Sequence, residues 1–213
     1  MKGQRKRVAG CLLGLWVSLF SAELAALDFT PSEIQNLSEG KLIRKPLKNS
    51  CQNGFYGGAG FAIINAPVDV VWKTLGDLKA YPEIFPKTVA AKEVSRKENR
   101  TLIEVLIGYK ILSIKYHITL SRDWDNKTIT FNLAENMPHD IDAARGYWKL
   151  IPQKDGRTLV AYAVSIRIPP GIVAFLGKST EKSLERGVIG LPRYLKQYIE
   201  KNARYDKMTA KAE

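Results

Sequence analysis

Two tyrosines carry the functional groups whose positions are easiest to assign in this sequence. Tyr116 lies in the alternating segment 114–120 and Tyr162 in the alternating segment 158–168, each within the apolar set of its segment. Alternate side chains of a strand point to opposite faces of a sheet, so both phenol groups are expected on a buried face. A buried tyrosine usually has a satisfied hydroxyl and contributes apolar area. We therefore interpret both as buried residues with satisfied hydroxyls and assign no catalytic residue.

Other groups capable of chemistry do not cluster along the chain. His117 falls in the polar set of its segment and is expected to face solvent, and His139 lies in the segment 136–140. Neither histidine has Cys, Asp or Glu neighbours at the spacing of a metal site, so we expect no metal and no cofactor. The other charged or nucleophilic candidates are interpreted as solvated surface groups or, for the cysteine, as an ordinary thiol: Glu104, Asp142, Arg145 and Cys51.

The first 26 residues predict a secretory signal peptide. Residues 1–7 are basic, residues 8–22 are mostly apolar, and the small residues that follow favour cleavage after Ala26, which makes Leu27 the first mature residue. The apolar run is shorter than the roughly 20 residues of a membrane-spanning helix, and Glu23 interrupts it. We therefore expect export to the periplasm of a Gram-negative cell, with anchoring by an uncleaved N-terminus as the alternative.

The chain is strongly basic, with 33 Lys and Arg against 21 Asp and Glu and a net charge of +12. Removal of residues 1–26 takes away four basic residues and one acidic residue and leaves a charge of +9. Such a charge favours anionic membrane surfaces or nucleic acid. Export, and the lack of zinc-ligand spacing or an aromatic RNA-binding motif, exclude nucleic acid as the expected partner. We expect a monomer that meets an anionic membrane surface.

The segment before the main domain predicts a helix and an edge strand in residues 27–54. Thr30 and Glu33 form a capping box with Pro31 at the first helical position. A short apolar stretch at residues 42–43 predicts the edge strand, and the Gly- and Asn-rich residues 49–60 predict a flexible turn. At the other end, the polar residues 204–213 predict a disordered tail.

Between these segments the pattern changes from strands to helix. Period-two alternation from Arg100 to Ile168, with turns at residues 125–127 and 155–156, predicts an antiparallel meander. Residues 172–199 then carry apolar side chains at helical spacing. The glycines and the proline within residues 187–192 predict a bend in that helix.

Three groups of motifs give this order a family resemblance. They are residues 66–72 with 81–86, residues 146–150 with 155–159, and residues 168–171 before the final helix. Over residues 55–203 the chain resembles START-like domains, the SRPBCC or helix-grip superfamily, and is most similar to the polyketide cyclase/dehydrase and lipid-transport branch that includes coenzyme Q-binding proteins. The resemblance implies an α+β fold in which a curved antiparallel β-sheet wraps around a long C-terminal α-helix and leaves an internal hydrophobic cavity.

Family position and spacing together indicate which side chains line that cavity. The expected wall residues are Trp72, Ile84, Phe85, Ile118, Phe131, Trp148, Tyr162, Val164, Phe175, Leu184 and Val188. A cluster that follows the chain break at residues 169–171 is expected to form a membrane-facing gate: Ile172, Phe175, Leu176, Lys178 and Lys182.

The leading hypothesis is an exported protein that binds or transports a hydrophobic ligand, such as a lipid, a sterol-like molecule or a quinone. An apolar cavity with few polar groups suits that ligand class. Two alternatives remain open. One is an aromatase/cyclase-type enzyme acting on a polyketide-like substrate, which export disfavours because such substrates are made on cytoplasmic carriers. The other is a cell-envelope interaction protein with a vestigial cavity.

Overall fold

The structure, a computed structural model, describes residues 28–46, 54–109, 112–176 and 181–209, and the predicted signal peptide lies outside these ranges. Side chains are described except at residues 109, 175–176, 181–184 and 204–209. The strands in the described ranges are β1 Ile43–Pro46, β2 Phe55–Ile64, β3 Thr88–Lys97, β4 Arg100–Tyr109, β5 Leu112–Asp123, β6 Thr128–Leu133, β7 Ala143–Pro152 and β8 Thr158–Arg167. The α-helices are α1 Pro31–Ser38, α2 Val68–Gly76, α3 Tyr81–Ile84, α4 Pro170–Leu176, α5 Glu181–Ile189 and α6 Leu191–Thr209, and a 3₁₀ turn at Leu78–Ala80 joins α2 to α3.

The described strands form one antiparallel sheet in the order β1-β2-β8-β7-β6-β5-β4-β3. Strands β3 to β8 form a meander in which neighbours along the chain are paired, and β2 pairs along its full length with β8. This confirms the predicted meander and the α+β helix-grip architecture. The alternation did not reveal β3, because this edge strand is almost wholly exposed and its pairing with β4 shifts register between Glu93 and Ser95.

The two faces of the sheet bury different clusters. On the inner face, defined as the face that carries Trp148 and Tyr162, residues of β4 to β8 pack with α2, α3 and α6. On the outer face, Leu37 of α1 packs with Phe61 and Leu159. The predicted capping box begins α1: the backbone N–H of Glu33 donates to Thr30 Oγ1 at 3.3 Å, and the N–H of Thr30 donates to Glu33 Oε2 at 2.8 Å.

The described part of the C-terminal region contains the helices α4, α5 and α6. The bend expected within residues 187–192 is a break at Gly190, after which Pro192 occupies the first turn of α6, where its missing N–H removes no helical hydrogen bond. The region crosses β2 closely, because a Cβ at Gly60 would lie 2.2 Å from the carbonyl oxygen of Ile189. Gly60 is therefore the residue that lets the helices approach the sheet.

Three expectations from the sequence were wrong. The glycine-rich end of segment 49–60 is part of β2 and not a flexible turn, because glycines are what the close crossing of the C-terminal region requires. His117 is 4% exposed and does not face solvent, because residues 134–141 fold over the outer face of β5. Helix α6 continues to Thr209, into the segment 204–213 expected to be disordered, because no Gly or Pro interrupts it; residues 210–213 lie outside the described ranges.

None of the helices in the described part of the chain is both long enough and apolar enough to cross a membrane.

Candidate functional site

A row of aromatic rings lines the inner face of the sheet. Phe131 of β6 stacks on Tyr162 of β8 with ring centroids 6.1 Å apart, and Tyr162 lies 4.2 Å from Trp148 of β7. The row continues from Trp148 to Phe85, whose ring centroids are 6.0 Å apart, and from Phe85 to Tyr81, whose ring centroids are 5.0 Å apart. These rings belong to strands and to α3, so the sheet and the helices above it both contribute to the row.

The structure brings most of the expected wall residues into the cluster that contains this row. Nine of them have described side chains, and all nine are buried in the inner-face cluster or packed against it: Trp72, Ile84, Phe85, Ile118, Phe131, Trp148, Tyr162, Val164 and Val188. Leu195 and Ile199 of α6 cover them from the helical side. The side chains of Phe175 and Leu184 lie outside the described residues, so their place in the wall stays a prediction.

The expected gate is only partly described. Ile172 of α4 is half-buried and packs against a second inner-face cluster that contains Tyr56, Ile141 and Ile168. Lys178 and the side chains of Phe175, Leu176 and Lys182 lie outside the described residues. Ile172 therefore attaches α4 to the sheet, and the membrane-facing role of the segment stays a prediction.

Three tyrosines meet in the interior. Burial raises the pKa of Tyr81 and of Tyr116 to about 12, and it raises the pKa of Tyr162 further. The three are close enough that ionisation of one opposes ionisation of another. The Tyr81 hydroxyl donates to the carbonyl oxygen of Leu75 at 3.0 Å, whereas the hydroxyls of Tyr116 and Tyr162 have no partner among the described residues. The interior thus holds neutral phenols, two of which are free to bind a ligand.

An arginine at the side of this interior was missed by the sequence analysis. Arg122 follows Tyr116, Ile118 and Leu120 in the buried phase of β5, and burial lowers its pKa. Its Nη2 donates to the carbonyl oxygen of Leu75 at 3.2 Å. The alternation of β5 could have predicted this position: residues 114, 116, 118 and 120 face inward, and Arg122 is the next residue in that series.

The other candidate groups lie on the outer face or in loops. His117 Nδ1 donates to the carbonyl oxygen of Pro138 at 2.8 Å, and its Nε2 lies 3.5 Å from Glu104 Oε2. Asp142 lies 3.6 Å from Arg167, and Arg145 is exposed. His117 holds the loop that contains Pro138 to the outer face of the sheet, and none of these groups belongs to the cluster that contains the aromatic row. Within the described ranges, no group of three or more His, Cys, Asp or Glu side chains is placed to hold a metal ion.

Comparison with known families gives one match that spans more than half of the sequence. Residues 64–188 match the profile of a family described as polyketide cyclase/dehydrase and lipid transport. The matched segment runs from the end of β2 through the whole meander to α5, so it contains the aromatic row, Tyr116 and Arg122. Among curated proteins, no sequence matches significantly.

Several solved structures share the fold at low sequence identity. The protein TTHA0849 from Thermus thermophilus is 19% identical with a TM-score of 0.57, over 68% of this chain and 97% of its own. The ZhuI aromatase/cyclase from Streptomyces sp. R1128 is 15% identical with a TM-score of 0.56, over 70% of this chain and 96% of its own. A STAR-related lipid transfer protein from Xanthomonas axonopodis is 15% identical with a TM-score of 0.53, over 74% of this chain and 98% of its own. At these identities the similarity shows the fold alone.

Proposed function

Since the chain belongs to the polyketide cyclase/dehydrase and lipid transport family of START-like proteins, we propose that it binds and carries a hydrophobic ligand between the inner face of its sheet and its C-terminal helices. The observation that carries the proposal is the aromatic row from Phe131 to Tyr81, which offers a continuous apolar surface. Pockets of this kind bind mainly by apolar burial, and a few polar groups orient the ligand. A lipid, a sterol-like molecule and a quinone all have that chemistry.

We place the carrier outside the cytoplasm. The support is the basic and apolar segment of residues 1–26, which has the features of a cleaved signal peptide. The charge of +9 that remains after cleavage would draw the protein to anionic membranes, where a lipid ligand is available. N-terminal sequencing of the processed protein is expected to start at Leu27. Recovery of an intact Met1 in the inner membrane would contradict export as a soluble carrier.

An enzyme of the aromatase/cyclase type is the second candidate. The observation in its favour is that Tyr116 and Tyr162 present unpaired hydroxyls to the interior. A general acid or base works best with a pKa near the pH of the reaction, however, and burial raises the pKa of Tyr116 to about 12 and raises the pKa of Tyr162 as well. Neutral phenols that hold their protons are better suited to binding a ligand's oxygen atoms than to proton transfer.

A vestigial site in an envelope interaction protein is the third candidate, and it predicts no bound ligand.

The test is to export the full-length protein in a Gram-negative host, purify it without detergent and extract its ligand for mass spectrometry. We expect a hydrophobic molecule at close to one per protein. Ile118→Trp adds bulk to the inner face and should lower this occupancy, whereas Thr119→Trp adds the same bulk to the outer face and should not. Thermal unfolding would establish that both variants are folded. Empty wild-type protein that also takes up no added fluorescent lipid would contradict the proposal.

A further inference from the structure

Arg122 is a positive charge at the side of an apolar interior. Among the described residues its buried Nε has no hydrogen-bond partner, and no carboxylate lies within ion-pair distance of its guanidinium. Glu93, whose charge acts on the pKa of Arg122, pairs instead with Arg96. Removing an arginine from water without an anionic partner costs stability, and guanidinium remains charged at any physiological pH. Arg122 is therefore a half-buried cation whose buried Nε has no hydrogen-bond partner among the described residues.

The surrounding residues hold the guanidinium in place. Its Nη2 and the Tyr81 hydroxyl both donate to the carbonyl oxygen of Leu75, one of the free carbonyls at the C-terminal end of α2. Gly76 makes room for this arrangement, because a Cβ there would lie 2.8 Å from Nη1 and 3.1 Å from Nη2 of Arg122. One edge of the guanidinium is thus fixed to the protein, while Nε on another edge is left to donate elsewhere.

The position of Arg122 connects the aromatic row with the surface. Tyr81, which shares the Leu75 carbonyl with Arg122, is the end of the row. On the other side the guanidinium carbon lies 5.9 Å from the ring of Trp72, whose centroid is 5.0 Å from that of the exposed Trp124. A molecule with its head at Arg122 can place its apolar chain along the row and keep the head close to solvent. Charge near the surface is less costly than charge in the centre.

From this geometry we propose that the ligand is an amphiphile with an anionic oxygen head group, a carboxylate or a phosphate, which accepts a charge-assisted hydrogen bond from the guanidinium of Arg122. The inference rests on the proposed function, and it narrows the ligand class from any hydrophobic molecule to an acidic lipid. A neutral sterol or quinone oxygen could accept the hydrogen bond, but it would leave the charge of Arg122 uncompensated. Planar guanidinium groups suit both carboxylate and phosphate.

The test compares ligands that share one chain and differ in the head group. Delipidated protein is titrated with oleate, oleoyl lysophosphatidic acid and oleyl alcohol, all at monomeric concentrations, and binding is followed by calorimetry. We expect an anionic ligand to bind at least about tenfold more tightly than the alcohol. A difference in affinity of this size is what one hydrogen bond to a charged group contributes. The two anionic arms distinguish a carboxylate source from a phosphate source.

Variants show whether the preference comes from this residue. Arg122→Met should reduce the anionic preference to about that for the alcohol, and Arg122→Lys, which keeps the charge but lacks Nε, should reduce it in part. Arg145→Met, the same change at an exposed site on the outer face, is the matched control and should keep the full preference. Gly76→Ala displaces the guanidinium without removing it and gives a second route if Arg122 variants fold poorly.

The possible outcomes separate this inference from the proposed function. Oleyl alcohol binding as tightly as both anions to the wild-type protein overturns the inference and leaves hydrophobic binding intact. A preference that survives Arg122→Met in folded protein also overturns it. Binding of none of the three ligands, together with the absence of any extracted lipid, overturns the proposed function and this inference together.

Discussion

Trp148 and Tyr162 face each other across the β7–β8 ladder, with their ring centroids 4.2 Å apart on the inner face of the sheet. Trp148 is 7% exposed and Tyr162 is 4% exposed, so both rings are buried. A shift of one residue in either strand would turn its ring to the outer face. The pair therefore links the register of the β7–β8 hairpin to the formation of the apolar interior.

Replacement of Trp148 tests this register. Trp148→Ala should lower the free energy of unfolding by about 3–5 kcal/mol, because it removes a large buried ring and leaves a cavity. The matched control is Tyr147→Ala at the preceding residue, which is 41% exposed on the outer face and should cost well under half as much. Chemical denaturation of both variants gives the comparison. Equal denaturation midpoints for Trp148→Ala and the parent would contradict the assigned register.

A hydrogen-bonded clamp joins α6 to the end of β2 and gives a second stability prediction. Lys196 Nζ donates to the carbonyl oxygen of Ile63 at 2.8 Å and lies 2.6 Å from Glu200 Oε1, which also accepts from the backbone N–H of Asn65 at 2.9 Å. Lys196→Met should lower the free energy of unfolding by about 1–3 kcal/mol, because it removes the donor to the part-buried carbonyl oxygen of Ile63 and the ion-pair partner of Glu200. Lys201→Met, at an exposed position of the same helix, should have little effect. Thermal unfolding that is unchanged in both variants would show that the clamp contributes no stability.

The fold was predictable where local signals act alone. The capping box at Thr30 begins α1 as expected, and the hairpin signal at residues 155–156 lies between β7 and β8. The exposed edge strand β3 gave no such signal, because a strand without a buried face does not alternate. His117 lies on the outer face of the sheet, as its place in the alternation predicts, yet residues 134–141 cover it. The pattern of residues around His117 gives no sign of that contact.

The candidate site was predictable in its apolar part more than in its polar part. Residues such as Trp148 and Val164 follow from strand periodicity, because inward-facing apolar positions on neighbouring strands must meet. Arg122 continues the same period of two, but a charged residue at the end of a strand usually lies in solvent, so the period alone does not predict its burial. Contacts with α2, such as the hydrogen bond to the carbonyl oxygen of Leu75, 47 residues away, hold it at the interior.

The buried tyrosines predict loss of stability at alkaline pH. Tyr81 and Tyr116 have pKa values raised to about 12 in the folded state against the ordinary value of 10.0, and burial raises the pKa of Tyr162 as well. The folded protein therefore holds protons that the unfolded chain loses, so this stability is complete below pH 10 and decreases as the pH rises towards 12.

A pKa raised from 10.0 to about 12 corresponds to about 2–3 kcal/mol for each of Tyr81 and Tyr116 at the upper end of that range. In Tyr116→Phe the free energy of unfolding should decrease less steeply as the pH rises above 10, because the phenylalanine ring fills the same buried position but cannot ionise. Chemical denaturation from pH 8 to 12, with phenolate absorbance followed in parallel, gives the measurement. Phenolate formation by all tyrosines near pH 10 in protein that is still folded would contradict their burial.

The last prediction concerns entry of the ligand through the segment that begins at α4. Ile172 attaches this helix to the cluster around Tyr56 and Ile168, whereas Ala174 on the same helix is exposed. The helix is thus fixed by one side, and we expect Phe175 and Leu176 to reach a bilayer interface while Lys178 and Lys182 meet anionic head groups. An apolar contact of this kind would bring the C-terminal helices to the membrane at the point where the chain leaves the sheet.

Phe175→Ser should slow transfer of a fluorescent lipid between anionic vesicles and leave thermal stability nearly unchanged. Loss of one aromatic side chain from the interface costs about 1–2 kcal/mol, which corresponds to roughly five- to thirtyfold weaker association with vesicles. Ala174→Ser is the control that should transfer normally, and Ile172→Ser should instead lower the unfolding temperature, because that side chain packs against the sheet. If Phe175→Ser unfolds at a much lower temperature and its folded fraction transfers lipid at the normal rate, then Phe175 belongs to the core and entry occurs elsewhere.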